Sequence, residues 1–494
     1  MTGATPVAAV DLGATSGRVM LGYVGPTELR LQPIARFPNG PVHRDTGLHW
    51  DIDQLRSGVF GGLAVAASAE PGIRSIGVDA WAVDYALMAG GSMLGTPHHY
   101  RDDRNDAGVA AVHAQVTPAE LYAANGLQHL SFNTLFQLEV DRAAGALDAA
   151  DTFLLIPDLF AFWLTGRAIG ERTNASTTGL LRVGAGDAAQ WDDALIAKLG
   201  LPRHLFPELV SAGSTIGTLT PAMAAELGFA PDTAVTAVGS HDTASAVVAI
   251  PATGTDYAYI SCGTWGLVGV ELESPVLTEA SRAANFTNEG GVDGRVRFLH
   301  NVMGLWLLSE SLRVWGEAGL AADLPTLLDA ASAVQTPVAI FDANDPTFLA
   351  PGDMPARIAE WCRGHGQPAP RSQAELVRSI LESLADAFAR AVETASVLSG
   401  TAVSVIHIVG GGSQNALLCQ LTADRSGLPV LAGPVEATAL GNVLVQARAQ
   451  GLISGSLESL RSLVAATHPV VRYSPRTVGR RSASPRPSAS RSGA

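Results

Sequence analysis

Two segments of the chain share a pattern of an apolar run, a short glycine-containing turn and a second apolar run. The first spans Val7 to Tyr23, where Gly13 and Gly17 are free to adopt positive φ angles. The second spans Tyr257 to Val270, where glycines are set among β-branched and aromatic residues. Each pattern predicts a β-hairpin. Their recurrence in both halves of the chain indicates a duplicated architecture.

Strand-like runs and helical stretches alternate after each hairpin. The stretch from Ala374 to Leu398, for example, has the periodicity of a long helix. This alternation predicts α/β layers in both halves, and 494 residues exceed what one hydrophobic core supports. We therefore predict two domains, 1–245 and 246–472. A segment rich in Ser, Pro and Arg, 473–494, is predicted to be a disordered tail.

Composition narrows the class of protein. Hydrophobic residues make up 47% and charged residues 16%, which predicts a folded chain, and the net charge of −14 argues against a nucleic-acid partner. Three widely spaced cysteines, Cys262, Cys362 and Cys419, form neither a disulfide framework nor a zinc pattern. Because Met1 to Val10 lacks a positive charge and no long apolar run occurs, we expect a cytoplasmic protein without a membrane partner.

Lysine occurs once, at Lys198, and no Gly-Lys-Ser/Thr sequence exists. A Walker-type P-loop is thereby excluded, since its lysine contacts the β and γ phosphates. A Gly-x-Gly-x-x-Ala pattern at Gly184, Gly186 and Ala189 is interpreted as a loop, because Asp192 reads as an ordinary helix cap and no acidic ribose contact follows at the expected distance. Any nucleotide must then be bound by backbone amides and a metal ion.

Asp11 ends a buried apolar strand directly before the first hairpin tip. A carboxylate there is costly unless it has a partner, and a hydrated Mg²⁺ between phosphates is such a partner. The tip itself offers phosphates the backbone N–H groups of Gly13 to Gly17, the hydroxyls of Thr15 and Ser16, and the charge of Arg18. The alternative is an ordinary turn that Asp11 caps.

A second acidic motif lies at Gly239 to Thr243, where the predicted strand Ala234 to Val238 runs into a helix that opens with small residues. Asp242 is placed there to accept the proton of a substrate hydroxyl while its oxygen attacks a γ-phosphorus. The alternative role of Asp242 is helix N-cap.

Two further motifs complete the set. Thr264, at the tip of the second hairpin, offers a hydroxyl from the other side of a cleft, although threonine is also an ordinary strand residue. The predicted strand Val403 to Val409 is followed by Gly410 to Gly412 and a predicted helix, Ala416 to Asp424. Glycines at such a turn permit close contact between the backbone and a flat ring or a phosphate, although alone they often form just a turn.

The order of these motifs resembles the superfamily of actin, hexokinase and the heat-shock chaperone ATPases, and within it the chain is similar to the FGGY carbohydrate kinases, particularly their rhamnulokinase branch. The segments that carry the resemblance are DLGATSGRVMLG, YRDDRND, TNASTTGLL, SHDTASAV, SCGTWGLVG, NFTNEGG, MGLWLL, HIVGGGSQN and GPVEATALGN. It extends from about Val7 to Val471. The resemblance implies two ribonuclease-H-like α/β domains that close over a cleft, with sugar largely on the first and ATP largely on the second.

The resemblance also implies roles for individual residues. Nucleotide contacts are implied at Ala14, Thr15, Ser16, Gly17, Arg18, Thr264, Asn301 and Gly411. Sugar contacts are implied at Ala82, His241, Asp242 and Thr243, with Asp242 as the catalytic base. The implied reaction is phosphorylation of L-rhamnulose by ATP to L-rhamnulose 1-phosphate, with Mg²⁺, for which Asp11 is the predicted ligand. The expected partners are the sugar and ATP alone, in a monomer or homodimer.

Two positions depart from the family pattern. Ala82 replaces the usual glycine, and its methyl group is expected to narrow the sugar pocket. Ser309 replaces a usual glutamine, so that nucleotide contact is not carried over. Trp81 is a candidate to face the C6 methyl of a deoxy sugar, with Asp84, Arg101 and Asp102 bonding hydroxyls. The alternatives are that Trp81 is a core residue and that Arg101, Asp102, Asp103 and Arg104 form a solvated ion-pair cluster.

Two other functions are compatible with these motifs. One is phosphorylation of a different ketose, such as L-fuculose or L-xylulose. The other is a non-catalytic sugar sensor or chaperone-like ATPase of the same fold. The presence of both Asp11 and Asp242 argues against the sensor, because a protein without catalysis needs neither a base nor a metal carboxylate.

Overall fold

The computed structural model describes residues 4–184, 189–321 and 323–476. The strands of the N-terminal half are β1 (Thr5–Leu12), β2 (Ser16–Gly25), β3 (Glu28–Pro38), β4 (Pro41–Arg44), β5 (Gly47–Trp50), β6 (Ser75–Ala80), β7 (Tyr85–Ala89), β8 (Ser92–Met93), β9 (Thr152–Leu155), β10 (Ile169–Glu171), β11 (Glu208–Val210), β12 (Thr215–Thr218) and β13 (Ala234–Thr236). Its helices are α1 (Ile52–Ala69), α2 (Asn105–His113), α3 (Pro118–Asn125), α4 (Thr134–Ala143), α5 (Ile156–Thr165), α6 (Arg172–Ala175), α7 (Asp193–Lys198), α8 (Pro221–Leu227) and α9 (Asp242–Val248).

The C-terminal half is built in the same way. Its strands are β14 (Tyr257–Cys262), β15 (Gly266–Leu272), β16 (Thr287–Gly290), β17 (Val296–Val302), β18 (Val405–Val409), β19 (Val430–Ala432) and β20 (Val471–Tyr473). Its helices are α10 (Glu279–Ala283), α11 (Trp306–Glu317), α12 (Leu324–Ser332), α13 (Met354–Gly364), α14 (Gln373–Ser399), α15 (Ala416–Ser426), α16 (Ala437–Ala449) and α17 (Leu457–Thr467).

The two main sheets repeat one topology. The first has the strand order β12-β13-β6-β1-β2-β3 and the second the order β16-β17-β15-β14-β18-β19-β20. In each, an antiparallel hairpin (β1–β2 or β14–β15) is flanked by a further antiparallel strand on one side and by two parallel strands on the other. Both predicted hairpins and the duplicated α/β architecture are therefore confirmed.

The long helix α14 shows why the sequence pattern predicted it well. Its buried face carries apolar residues such as Leu381, Leu384 and Phe388, and it packs against β15 and β17. The side chain of Ser372 accepts a hydrogen bond from Glu375 N at the start, and Gly400 ends the helix in the left-handed region at φ 73°. The predicted helix, Ala374 to Leu398, is confirmed.

Helices α9 and α16 pack against each other between the two main sheets. They approach closely at Gly441, where an added Cβ would lie 1.8 Å from Ser245 O. Although α16 belongs to the C-terminal half, it also packs against β1 and β6 of the first sheet. Because α9 continues to Val248, a division of the chain after this helix keeps it whole, whereas one at residue 245 cuts it.

The described chain ends in contact with the second sheet. Strand β20 pairs with β19, Ser474 O accepts a hydrogen bond from Gln420 Nε2, and Arg476 forms an ion pair with Asp424 at 2.6 Å. Of the predicted tail 473–494, residues 477–494 lie outside the described residues, as does Gly186 of the glycine pattern. In the described part of the chain, every helix is too short or too polar to span a membrane.

Candidate active site

A cleft of about 290 Å³ opens where the two hairpin tips face the ends of β6, β13 and β18. The sequence-predicted site residues that line it are Asp11, Ala14, Thr15, Ser16, Arg18, Ala82, His241, Asp242, Thr243, Thr264, Asn301 and Gly411. Gly17 does not line the cleft: it packs on the Phe37 ring, and an added Cβ would lie 2.2 Å from that ring. The structure thus brings nearly all of the predicted residues together in one place.

Asp11 lies in register with Arg18 across the first hairpin and with Asp79 on the neighbouring strand β6. Its Oδ2 is 3.1 Å from Arg18 Nε, and Arg18 also forms an ion pair with Glu436. Burial raises the pKa of Asp11 to about 6, against the lowering effect of Arg18 and with a further upward contribution from Asp242. The charges of Asp11, the predicted metal ligand, and Asp242, the predicted base, therefore interact across a shared cleft.

Asp79 adds a third carboxylate beneath the cleft floor. It is fully buried, and its Oδ2 accepts a hydrogen bond from Asn442 Nδ2 of α16 at 2.5 Å. Burial, and next the charge of Asp11, raise its pKa well above the usual range. We did not predict a site role for Asp79, although its position at the end of a buried strand repeats the pattern of Asp11.

Asp11 is the candidate ligand of a hydrated divalent cation in this cleft. Among the described residues there is no group of three or more His, Cys, Asp or Glu arranged to hold a metal ion. The buried Oδ2 of Asp11 has no hydrogen-bond partner, because its contact with Arg18 Nε lacks hydrogen-bond geometry. A carboxylate oxygen without a hydrogen-bond partner, at the edge of a cleft, fits Mg²⁺, which is usually bound by few protein ligands and completes its coordination with water and phosphate.

The first hairpin tip is held rigidly by its own backbone and by Asn39. Gly13 N donates to Ser16 O at 3.0 Å, which closes the turn. Asn39 N donates to Thr15 O at 3.1 Å, and its Nδ2 donates to Gly13 O at 2.8 Å. Since these carbonyls are occupied, the tip is preorganised to present N–H groups and the hydroxyls of Thr15 and Ser16 to a ligand.

The second hairpin tip is braced by the turn that begins α11. Leu305 N donates to Gly263 O and Trp306 N donates to Thr264 O, both at 3.0 Å. This contact requires Gly304, whose φ is +60° and where an added Cβ would lie 2.4 Å from the backbone of Trp265. Thr264 therefore faces the first hairpin tip from a fixed position.

The three consecutive glycines after β18 have three different roles. Gly410 adopts φ +81°, in the region that favours glycine. An added Cβ at Gly412 would lie 2.2 Å from Cys262 Sγ, so this residue permits close packing below the cleft. Gly411 has no atom within 4 Å of such a Cβ and lines the cleft. Gly410 also lines the cleft, but Gly411 is the glycine with open space where a side chain would stand.

Asp242 is the first residue of α9, and its side chain is 29% exposed. The residue at the N-cap is His241, and no side chain caps the helix. The carboxylate of Asp242 instead accepts a hydrogen bond from Thr243 Oγ1 at 3.1 Å through Oδ1. The alternative role of Asp242 as a helix cap is therefore wrong, and its carboxylate is available to accept a proton.

The loop before Asp242 is fixed to the N-terminal half by a carboxylate that the sequence analysis missed. Glu171 Oε2 accepts hydrogen bonds from Ser240 N at 3.0 Å and Ser240 Oγ at 2.8 Å. Ser240 O in turn accepts from Ala80 N at 2.9 Å. Because Glu171 and Ser240 are 69 residues apart in the sequence, only the folded chain shows this connection.

Part of the cleft is lined by aromatic and aliphatic side chains. They are Trp81, Val83, Tyr100, Leu130, Phe132 and Trp265. Ala82 lies beside Val83, which adopts φ +70° within a γ-turn closed by Asp84 N and Ala82 O at 2.9 Å. A β-branched residue in this region is strained, and Thr134 Oγ1 holds the turn by donating to Val83 O at 2.6 Å.

The predicted hydroxyl contacts of Asp84, Arg101 and Asp102 are not supported, because none of the three lines the cleft. Asp84 is buried and accepts hydrogen bonds from Trp50 and Trp81 Nε1. Arg101 donates to a backbone carbonyl of the C-terminal half, and Asp102 accepts from a backbone N–H. Because Arg101 and Asp102 are buried and Arg104 pairs with Asp141, the alternative of a solvated ion-pair cluster of these residues with Asp103 is also wrong.

The last two positions are Asn301 and Ser309. Asn301 donates through its backbone N and Nδ2 to Gln128 Oε1, at 2.8 and 2.9 Å, so it joins the two halves at the edge of the cleft. Ser309 is exposed on α11 and does not line the cleft, in keeping with the expectation that its nucleotide contact is absent.

Comparisons with known proteins agree with this architecture. Residues 50–249 match the FGGY family of carbohydrate kinases, N-terminal domain, and residues 258–450 match its C-terminal domain. The rhamnulokinase of Pectobacterium atrosepticum is 42% identical over 475 residues, which cover 95% of this chain and 93% of its own. The rhamnulokinase of Bacteroides thetaiotaomicron is 39% identical over 472 residues, which cover 94% and 95%.

Solved structures show the same fold at low sequence identity. A ligand-bound xylulose kinase from Lactobacillus acidophilus superposes with a TM-score of 0.75 at 15% identity, covering 95% of this chain and 94% of its own. The glycerol kinase of Plasmodium falciparum with ADP superposes with a TM-score of 0.73 at 15% identity, covering 96% and 94%. These similarities confirm the predicted two-domain fold.

Proposed function

The chain belongs to the FGGY family of carbohydrate kinases, and from this premise we propose that it transfers the γ-phosphoryl group of ATP to L-rhamnulose, giving L-rhamnulose 1-phosphate. Two of the similar proteins, at 39 and 42% identity over nearly the whole chain, are rhamnulokinases. The observation that carries the chemistry is the convergence of Asp11 and Asp242 on one cleft.

In the proposed reaction Asp242 accepts the proton of the terminal hydroxyl as its oxygen attacks the γ-phosphorus. The first hairpin tip, from Ala14 to Arg18, and Thr264 of the second tip bind the phosphates from opposite sides, with Gly411 beside the nucleotide. Asp11 would hold Mg²⁺, which would supply positive charge to the phosphates. Because the tips are preorganised by their own hydrogen bonds, they stabilise the transferring group without rearrangement.

The remaining assignments divide the substrates between the two halves. We assign the sugar to the N-terminal half, through Ala82, His241 and Thr243, and ATP largely to the C-terminal half. Asn301 keeps its assignment as a nucleotide contact, at the junction of the halves. The proposed assembly is a monomer or a homodimer.

A ketose panel with Mg-ATP tests the specific assignment. L-Rhamnulose, L-fuculose, L-xylulose and L-fructose are compared by kcat/KM, with ADP formation measured by a coupled assay. We expect L-rhamnulose to be the best substrate. A low rank for L-rhamnulose, with another ketose used efficiently, overturns the sugar assignment and leaves the kinase assignment intact; ADP formation that no sugar stimulates contradicts both.

A further inference from the structure

Arg297 is a fully buried cation whose function the sequence analysis did not identify. It lies on β17 directly opposite Glu289 of β16, with Nη2 3.1 Å from Glu289 Oε2 and Nε donating to Gly290 O at 2.9 Å. Burial raises the pKa of Glu289, but the charge of Arg297 and contacts with neighbouring polar groups lower it by more, so its pKa lies below the usual value. Glu289 is therefore the ionised partner of Arg297.

The same guanidinium also contacts His241, the residue before the proposed base. Arg297 Nη2 lies 3.0 Å from His241 Nδ1 in hydrogen-bond geometry. Since a guanidinium only donates hydrogen bonds, Nδ1 is the acceptor. In a neutral imidazole the proton then resides on Nε2, which lies 3.6 Å from Asp242 Oδ1.

Glu289 offers His241 the opposite arrangement, in which Nδ1 carries the proton and donates to Oε2. That contact is longer, at 3.3 Å, and Glu289 Oε2 has no hydrogen-bond partner in the structure. The shorter contact with correct geometry is the one to Arg297. The observed arrangement therefore favours the tautomer with the proton on Nε2.

We propose that Arg297 is a positioning residue for phosphoryl transfer, which fixes His241 with its Nε2 proton directed at Asp242 and thereby orients the carboxylate of the base. Thr243 Oγ1 donates to Oδ1 of this carboxylate, and His241 Nε2 faces the same oxygen at 3.6 Å, beyond hydrogen-bond distance. Oδ2 is therefore the oxygen left to accept the substrate proton. The proposal rests on the assignment of Asp242 as base.

This arrangement also connects the two halves of the chain. Arg297 and Glu289 belong to the second main sheet, whereas Asp242 follows β13 of the first. The base is thus oriented by the C-terminal half while its backbone is anchored to the N-terminal half. Correct orientation of Asp242 therefore depends on the two halves being docked as they are here.

Kinetics of Arg297 variants test this role. Arg297→Met removes the donor, and Arg297→Lys retains a charged donor. We expect kcat per folded active site to fall by roughly 10²-fold in the methionine variant, in the range a misplaced general base produces, with the KM for ATP nearly unchanged and partial recovery in the lysine variant. Arg461→Met is the matched control, because Arg461 is equally paired and buried, with Glu271 at 2.8 Å. It should lower stability but not kcat per folded site.

A second measurement does not require any Arg297 variant to fold. Histidine labelled with ¹⁵N in the unmutated protein reports which ring nitrogen carries the proton, and the His241 signal is identified by its loss in His241→Gln. A proton on Nε2 supports the proposal, and a proton on Nδ1 overturns it. Unchanged kcat in Arg297→Met also overturns it. If Asp242→Asn still abolishes transfer in that case, the proposed function stands and only the role of Arg297 fails.

Discussion

Replacing Asp11 by asparagine should make the ligand-free protein more stable while it removes activity. Burial raises the pKa of Asp11 from 3.8 to about 6. At about 1.4 kcal/mol per pKa unit, this shift corresponds to about 3 kcal/mol by which the folded state disfavours the ionised carboxylate. The asparagine variant keeps the shape of the side chain and lacks the charge. Its free energy of unfolding at pH 8 should therefore exceed that of the unmutated protein by up to about 3 kcal/mol.

The effect has a definite pH window. Above about pH 6 Asp11 is ionised in both the folded and unfolded states, and the full penalty applies. Between about pH 6 and 4 the folded state takes up the proton first, so the unmutated protein gains stability as the pH falls. Below the unfolded pKa both states are protonated, and the difference between the two proteins should vanish.

Urea denaturation at pH 8 and pH 4 measures both values, without nucleotide or metal. Asp323→Asn is a suitable control, because a hydrogen bond from Thr326 lowers the pKa of this exposed carboxylate and its replacement should not stabilise the protein at pH 8. If Asp11→Asn is less stable than the unmutated protein at pH 8, or equally more stable at both pH values, Asp11 does not store this electrostatic cost. In that case there is no cost of burying the Asp11 charge for a bound cation to offset.

Two further predictions concern the cleft. Gly412→Ala should destabilise the fold by about 1–3 kcal/mol, because its Cβ would lie 2.2 Å from Cys262 Sγ, and a second substitution, Cys262→Ala, should restore part of the lost stability. Gly411→Ala should leave the thermal unfolding temperature nearly unchanged but raise the KM for ATP. Equal thermal shifts in the two glycine variants would contradict this distinction. At low Mg²⁺ concentration, kcat/KM should fall as the pH is lowered below about 6, because Asp11 becomes protonated. A higher Mg²⁺ concentration should move this fall to lower pH. A kcat/KM that stays constant down to pH 5 would contradict the metal role of Asp11.

The features predictable from the sequence are those encoded locally. The hairpins around Gly13 and Thr264 and the turn at Gly410 to Gly412 combine strand patterns with glycines, and each motif already contains its own chemistry. Even so, the role of Gly17 in packing on Phe37 was not visible, because a glycine needed for backbone approach and one needed beside a ligand look alike in sequence.

The features missed are contacts between distant segments. Glu171 is bonded to Ser240 and Arg297 to His241, and nothing in the local pattern around Glu171 or Arg297 distinguishes them from surface charges. Asp84 was wrongly predicted to contact the sugar. It is a residue type that binds sugars, but its carboxylate accepts hydrogen bonds from two indole N–H groups within the core. Burial and partner identity are properties of the fold, so these assignments required the structure.

The most direct test of the central claim is single-turnover phosphoryl transfer by Asp242→Asn. The variant retains the shape of the side chain and should bind ATP with nearly unchanged affinity. With L-rhamnulose and Mg-ATP, we predict that its transfer rate falls by roughly 10²- to 10⁴-fold, the contribution of a general base. A transfer rate equal to that of the unmutated protein would contradict the assignment of Asp242 as the base opposite Asp11 in this cleft.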